Sequence, residues 1–163
     1  EGRGLAHALE GHENVVTLRT CGKALGCEGA LVCCPRVLAD ILINKARGFI
    51  FSTAPSPLAA AAVRASLGLL RSQPERRERL VRLIAVANSR LSATGTQIIP
   101  VILGDDVRTT AAAAALQARG FDVRGIRPPT VPVGTSRLRV SVTLNVDEAI
   151  VGQLADAIEE LSP

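Results

Sequence analysis

The sequence predicts an α/β protein built from two parts, and three observations support this prediction. Short apolar or β-branched runs, typical of strands, alternate along the 163 residues with longer alanine-rich or amphipathic helical segments. Hydrophobic residues make up 47% of the chain, enough for a buried core. Pro74 interrupts a helical stretch, so we place a boundary near Gln73 and expect domains at 1–73 and 74–163.

The first part is predicted to begin with strand, loop, strand and helix. Asn14–Thr20 is rich in valine and threonine and leads into a loop punctuated by glycines. The apolar run Ala30–Cys34 predicts the second strand. Pro35 then suits the first turn of a helix that extends to about Arg47.

Two more elements are predicted before the boundary. Gly48 is expected to stop the preceding helix, and Phe49–Ser52 is predicted to form a short buried strand. Pro55 and Pro57 are expected to open an alanine-rich helix that reaches about Arg71. Because this helix has few polar positions, we expect it to be internal.

The second part is predicted to be a compact α/β domain containing a βαβ-like unit. Asp105 follows a strand and precedes a helix, where an aspartate commonly caps free backbone amides. The predicted elements are a helix at Glu75–Leu91 with Leu80, Leu83, Ile84 and Ala87 on its apolar face, a strand at Ile98–Leu103, an alanine-rich helix ending at Gly120, a strand around Phe121–Ile126, an alternating strand at Arg137–Leu144 and an amphipathic helix at Val146–Leu161.

Lysine is rare in this sequence, which draws attention to the positions where it is kept. Of nineteen basic residues only Lys23 and Lys45 are lysines. Lysine can act as a nucleophilic amine, whereas the arginine guanidinium stays protonated. Lys23 lies between Gly22 and Gly26, where small residues would let a bulky cofactor approach. Taken alone, a solvated loop lysine is the more frequent explanation, and Lys45 is expected to be a surface residue.

Several motifs favour a functional role for Lys23 over that of a solvated loop residue. The segment Thr20–Gly26, which has the sequence TCGKALG and is followed by Gly29-Ala30, resembles the cofactor-lysine motif of the α-oxoamine synthases, a family of fold type I pyridoxal-phosphate enzymes. Further similarity to this family continues through Gly48–Thr53 with Pro57, Ile126–Pro132 and Gly134–Arg139. The resemblance covers almost the whole chain. It implies the end of a fold type I large domain followed by a small carboxyl-terminal α/β domain.

The resemblance also implies roles for residues of the first part. Lys23 would carry pyridoxal 5'-phosphate, and Thr20 would contact the cofactor phosphate. Ser52 and Thr53 match a loop that reaches the phosphate of the neighbouring subunit, which implies a homodimer. The loop after them departs from the usual pair of prolines. Without the resemblance, Ser52 and Thr53 would be interpreted as a strand-ending turn.

In the second part the resemblance implies two substrate contacts. Arg139 matches the arginine that holds the amino-acid carboxylate, and a guanidinium fork can bind both carboxylate oxygens. Thr130 matches a substrate-contacting position. From the residues alone, Arg139 would be a cation on a strand surface and Thr130 an ordinary loop residue.

The implied activity is that of a PLP-dependent acyltransferase. The double proline before Thr130 most resembles the branch that condenses L-alanine with a pimeloyl thioester of coenzyme A or an acyl carrier protein, with loss of carbon dioxide, in biotin synthesis. The alternatives are a sister enzyme that uses glycine or another acyl thioester, and an inactive folded module. The sequence lacks the family's Asp-x-x-His element and glycine-rich phosphate segment. We therefore expect part of a longer enzyme, inactive alone.

Composition argues against other classes of function. A net charge of +4 from nearly balanced acids and bases, with only three phenylalanines as aromatic residues, gives no basis for nucleic-acid binding. His7 and His12 have no cysteine or carboxylate partner at ligand spacing, so we expect no metal site. The four cysteines are expected to be buried small apolar side chains and not zinc ligands, and we expect neither a leader nor a membrane span. A cytoplasmic location fits these expectations.

Overall fold

The computed structural model describes residues 4–91 and 95–161, so Glu1–Arg3, with which the sequence begins, lie outside the described part. The chain divides into two compact units, Glu1–Pro74 and Glu75–Pro163. The division falls at Pro74, the proline that interrupts the helical pattern of the sequence. Each unit is α/β in composition, as the sequence predicted.

Unit 1 is built around a two-stranded antiparallel hairpin. Strand β1 is Thr17–Thr20 and strand β2 is Ala30–Cys33, and their register runs from Thr17 opposite Cys33 to Thr20 opposite Ala30. Both predicted strands are therefore confirmed. All four residues of β2 are exposed, as is Leu18 on β1, so this hairpin encloses no core of its own.

Three helices follow the hairpin, α1 at Arg36–Lys45, α2 at Arg47–Ile50 and α3 at Pro57–Ser72. The prediction of a buried strand at Phe49–Ser52 was wrong. The amides of Phe49 and Ile50 both donate to the carbonyl of Ala46, which is helical bonding.

The exposure of the two phenylalanine side chains confirms that this segment is not a buried strand. Phe49 is 61% exposed and Phe51 is 75% exposed. A run of four residues, three of them apolar, is too short to distinguish a period of two from one of 3.6, so the sequence pattern could not decide between strand and helix.

Helix α3 begins as predicted but is not internal to its unit. The Ser56 hydroxyl oxygen accepts the amide of Leu58 at 3.2 Å, and Pro57 occupies the first turn, where no amide is required. Of the α3 residues only Val63 is buried. The expectation of an internal helix is wrong for unit 1, because no second layer of this unit covers its apolar face.

Unit 2 contains a three-stranded sheet with a split βαβ arrangement. Its elements are α4 at Glu75–Leu91, β3 at Ile98–Gly104, α5 at Asp106–Ala118, β4 at Arg124–Ile126, β5 at Ser136–Ser141 and α6 at Glu148–Glu160. The strand order is β3-β5-β4, and β5 is antiparallel to both neighbours. Strands β3 and β4 are therefore parallel, as a βαβ unit requires, but β5 lies between them.

The core of unit 2 lies between one face of this sheet and its three helices. Helix α5 contacts all three strands, and α4 contacts β3 and α6. The predicted alternation on β5 is confirmed, since Leu138 and Val140 are buried while Arg139 between them is exposed. The predicted apolar face of α4 is confirmed by the burial of Leu83 and Ala87. The other face of the sheet is not covered by elements of this unit.

The predicted cap on α5 is confirmed and gives a stability prediction. The Asp105 carboxylate accepts the amide of Arg108 at 2.7 Å, which satisfies a free donor of the first turn. We expect Asp105→Ala to lower the free energy of unfolding by about 1 kcal/mol, measured by urea denaturation. Asp105→Asn should retain most of the stability because an amide oxygen can also cap. Equal losses in both variants would contradict the capping role.

Candidate functional site

The loop that carries Lys23 is a compact turn closed by main-chain hydrogen bonds. The Cys21 amide donates to the Gly29 carbonyl at 2.9 Å, and the Cys21 carbonyl accepts a hydrogen bond from the Cys27 amide at 2.9 Å. Inside this closure the Gly26 amide donates to the Lys23 carbonyl at 3.0 Å. Gly26 has φ +62°, a conformation that glycine adopts without steric cost. The turn therefore presents Lys23 at the end of the hairpin.

The Lys23 amine is available for chemistry. Its side chain is exposed, and it has no hydrogen bond or ion pair with any residue in the described part of the chain. Lys45, the other lysine, is exposed on α1. Both lysines are unpartnered among the described residues, but only Lys23 lies in a glycine-flanked loop, whereas Lys45 lies at the end of a helix.

Thr20 lies on the same hairpin end as Lys23. It is the last residue of β1, and its hydroxyl oxygen accepts the amide of Gly22 at 3.4 Å. The hydroxyl proton remains free to be donated, for example to a phosphate oxygen. Two of the four residues predicted to hold the cofactor, Lys23 and Thr20, therefore lie at the same end of the hairpin, and their role stays a prediction.

A tether that sequence analysis missed holds this loop against α3. The Ser66 hydroxyl donates to the carbonyl of Leu25 at 2.9 Å, across 41 positions of the chain. A serine among alanines in a helix gives no signal of such a contact. Cys21 is 1% exposed, so the base of the loop is buried although its tip is open.

Ser52 and Thr53 lie in a separate exposed segment of unit 1. The Ser52 hydroxyl donates to the carbonyl of Phe49 at 3.3 Å, which closes the turn after α2. The guanidinium of Arg47 lies over the Phe51 ring, 5.3 Å from its centroid. Thr53 is exposed in the extended stretch before α3. The role of Ser52 and Thr53 at a neighbouring subunit stays a prediction.

Arg139 projects from the open face of the sheet in unit 2. It lies on the central strand β5, opposite Pro100 on β3 and Arg124 on β4. The side chain is exposed and has no hydrogen bond or ion pair among residues 4–91 and 95–161. A guanidinium that protein groups leave unpaired can bind both oxygens of a carboxylate.

Thr130 lies in the connection between β4 and β5, in the same unit as Arg139. Its amide donates to the carbonyl of Arg127 at 3.0 Å, which forms a turn over the two prolines between them. Thr130 is exposed, so its hydroxyl is accessible. Sequence analysis did not find that Arg124 faces Arg139, because strand register cannot be read from β4 alone. Arg124 is paired with Asp122 at 2.9 Å.

Neither a metal-binding cluster nor a membrane-spanning helix is found among the described residues. They contain no cluster of three or more histidine, cysteine or carboxylate side chains able to hold a metal ion. Among the helices formed by these residues, none combines the length and the apolar character needed to cross a bilayer.

Comparison with known proteins defines the class of protein. Residues 3–158 match the family model described as aminotransferase class I and II. This chain belongs to that family, and within it to the α-oxoamine synthases, as the motifs around Lys23 and Arg139 predicted. Its fold is that of the carboxyl-terminal part of a fold type I enzyme.

The relatives with similar sequences carry one more specific name. An 8-amino-7-oxononanoate synthase from Anaeromyxobacter dehalogenans is 46% identical over 170 residues, which include 99% of this chain and 43% of that protein. The enzyme of the same name from Bordetella petrii is 43% identical, over 98% of this chain and 43% of its own length. The chain thus spans less than half of the relatives that it matches.

Solved structures agree with this assignment of the fold. A serine palmitoyltransferase from S. paucimobilis, with a PLP–myriocin adduct bound, matches with a TM-score of 0.84 and 25% identity over 98% of this chain and 43% of that one. The 8-amino-7-oxononanoate synthase of Francisella tularensis matches with a TM-score of 0.77 and 26% identity, over 91% of this chain and 44% of that one.

Proposed function

We propose that this chain is part of an enzyme that condenses L-alanine with a pimeloyl thioester to give 8-amino-7-oxononanoate, a step of biotin synthesis. The observation that carries the proposal is the exposed, unpartnered amine of Lys23 on a hydrogen-bonded hairpin. The names of the relatives supply the particular reaction. The acyl carrier would be coenzyme A or an acyl carrier protein.

The residues of the hairpin fit pyridoxal 5'-phosphate. An aldehyde can join covalently to a lysine amine, and the Lys23 amine has no ion pair among the described residues that would compete for it. The Thr20 hydroxyl, at the end of β1, can donate to a phosphate oxygen. When bound, this cofactor supplies an electron sink for the charge that develops on the amino acid.

Lys23 is proposed to act as the general base. With the cofactor bound, the Lys23 amine would take the proton from Cα of alanine and return a proton later in the cycle. An arginine could not do this, because its guanidinium does not deprotonate at accessible pH. The hydrogen bonds on both sides of Lys23 keep the amine within a limited range of positions.

Arg139 and Thr130 are proposed to position the substrate. The Arg139 guanidinium would bind both carboxylate oxygens of alanine, which fixes the orientation of the bonds at Cα. Thr130 would contact the substrate from the β4–β5 connection. In the net reaction the bond from Cα to the acyl carbon would form as the carbon–sulfur bond breaks and the thiol is released, and Cα would exchange its carboxylate, lost as carbon dioxide, for a proton.

The enzyme is proposed to be a homodimer with shared sites. Ser52 and Thr53 lie in an exposed segment that has room to reach another subunit, and the Ser52 hydroxyl is bonded only to the neighbouring carbonyl of Phe49. We expect Ser52→Ala together with Thr53→Ala to weaken cofactor retention without changing the secondary structure.

A chimera tests the proposed reaction. This chain would replace the matching 170 residues of the Anaeromyxobacter dehalogenans enzyme, and product would be identified by mass spectrometry with alanine or glycine as the amino acid. We expect 8-amino-7-oxononanoate from alanine. A product from glycine only would favour the sister activity. The chain by itself, which spans 43% of that relative, is expected to give no turnover.

Arg139→Lys gives a further prediction in the chimera. Replacing the guanidinium fork by a single ammonium should remove one charge-assisted hydrogen bond, worth about 1.5–3 kcal/mol. We therefore expect the KM for alanine to rise about 10- to 100-fold, as steady-state kinetics would measure. Arg82→Lys on the exposed surface of α4 is the matched control, with an unchanged KM. An unchanged KM in both variants would show that Arg139 does not bind the alanine carboxylate.

A further inference from the structure

Two of the four cysteines, Cys21 and Cys27, bracket Lys23 and are joined by a main-chain hydrogen bond. The Cys27 amide donates to the Cys21 carbonyl at 2.9 Å, while the Cys21 amide donates to Gly29 at 2.9 Å. Residues 27–29 thus stand opposite the single residue Cys21, as in a bulged hairpin. A main-chain hydrogen bond between two residues keeps their Cα atoms within about 6 Å, a separation that overlaps the range of disulfides.

Neither thiol is held by a strong hydrogen bond. Cys21 and Cys27 are unoxidised. The Cys21 sulfur has only a long contact of 4.0 Å to the Arg19 carbonyl, and the Cys27 sulfur lies 3.1 Å from the Leu25 carbonyl. A thiol is a weak donor, so neither contact strongly opposes rotation.

The two cysteines differ in accessibility in a way that suits stepwise oxidation. Cys21 is almost fully buried, whereas Cys27 is partly exposed. An oxidant therefore reaches Cys27 first, and the protected sulfur of Cys21 can then resolve the oxidised form. Cys33 and Cys34 are consecutive at the end of β2, and consecutive side chains of an extended segment point to opposite faces.

We propose that Cys21 and Cys27 form a reversible disulfide that closes the loop carrying Lys23. With hydrogen peroxide as oxidant, the Cys27 sulfur attacks one peroxide oxygen, the O–O bond breaks, and a sulfenic acid and water form. The Cys21 sulfur then attacks the Cys27 sulfur, the S–S bond forms, and the hydroxyl group leaves as water with the Cys21 proton. Two thiols and one peroxide give one disulfide and two waters, and a dithiol reductant reverses the change.

The disulfide would restrict the backbone on both sides of Lys23. The closed ring runs from Cys21 to Cys27 and includes Gly22 and Gly26, the residues that give the loop its freedom. The Ser66 hydroxyl already anchors the middle of this ring through Leu25. Oxidation would therefore add a covalent restraint to this loop and narrow the reach of the Lys23 amine.

Peptide mapping of the full chain tests the bond directly. The chain is treated with one equivalent of hydrogen peroxide, alkylated, and digested with trypsin and a glutamate-specific protease. Cleavage after Arg19, Lys23 and Glu28 separates the two cysteines from each other and from Cys33. We expect the peptides 20–23 and 24–28 to be joined, and dithiothreitol to separate them.

Variants of the same chain serve as controls. Cys27→Ser should eliminate the joined pair, whereas Cys33→Ser combined with Cys34→Ser should leave its yield unchanged. The proposal is overturned if Cys27 proceeds to the sulfinic acid while Cys21 stays reduced. It is equally overturned if Cys21 is found joined to Cys33, to Cys34 or to a second chain.

Hydrogen exchange gives an independent readout of loop closure. The amides of Gly26 and Cys27 should exchange about tenfold more slowly in the oxidised chain, because the disulfide suppresses local opening of their hydrogen bonds. Reduction should restore the faster rate, and equal rates in both forms would refute the restriction of the loop. Neither experiment uses cofactor or substrate, so its outcome is separable from the proposed reaction.

Discussion

Lys23→Ala is expected to reduce turnover of the chimeric enzyme by about 10⁴-fold or more. A positioned general base contributes up to about this factor, and the variant also loses the covalent attachment of the cofactor. Formation of 8-amino-7-oxononanoate from alanine would be followed by mass spectrometry. Far-ultraviolet circular dichroism should be unchanged, since the Lys23 side chain makes no contact that holds the hairpin.

Lys45→Ala is the matched control for this experiment. It removes the only other lysine, which is exposed on α1, and should leave turnover unchanged. Reduction with borohydride after addition of pyridoxal 5'-phosphate should mark Lys23 and leave Lys45 unmodified. Substantial turnover of Lys23→Ala, or labelling confined to Lys45, would show that Lys23 does not carry the cofactor.

The largest expected effect on stability is that of Leu138→Ala. Leu138 is 0% exposed on the central strand of unit 2, where it lies opposite Val101 and Gly125 and packs toward the helices. Removing three carbon atoms from this position leaves a cavity that the neighbouring strands cannot fill. We expect the free energy of unfolding of unit 2 to fall by about 2–5 kcal/mol, measured by urea denaturation.

The control for this variant removes apolar atoms from the surface. Val133 is 88% exposed in the β4–β5 connection, so Val133→Ala should change stability by no more than about 0.5 kcal/mol. If Leu138→Ala were as stable as Val133→Ala, the core of unit 2 would not be organised around β5.

Sequence patterns predicted the elements whose periodicity extends over several turns or residues. Helix α4 has the predicted bounds, and β5 buries the alternate residues that the pattern selected. The short run Phe49–Ser52 was misassigned because four residues do not define a period. Helix α3 was expected to be internal because of its composition, but burial depends on what packs against a helix, which composition does not specify.

The candidate site was only partly predictable. The glycines around Lys23 predicted a loop, and its motif supplied the family. The tether from Ser66 to Leu25 joins residues far apart in the sequence, and no local pattern marks it. The register that places Arg124 opposite Arg139 arises from pairing between strands, which a single sequence does not show.

The insertion of β5 between β3 and β4 has a consequence for biosynthesis. As the polypeptide leaves the ribosome, β3 and β4 emerge before the strand that joins them, and the pairing of Ile98 with Ser141 closes a long segment of chain. Until that pairing occurs, the apolar residues of β3 and α5 lack β5, the strand that both of them contact. A nascent or truncated product ending before Ser136 would therefore expose these residues to chaperones and proteases.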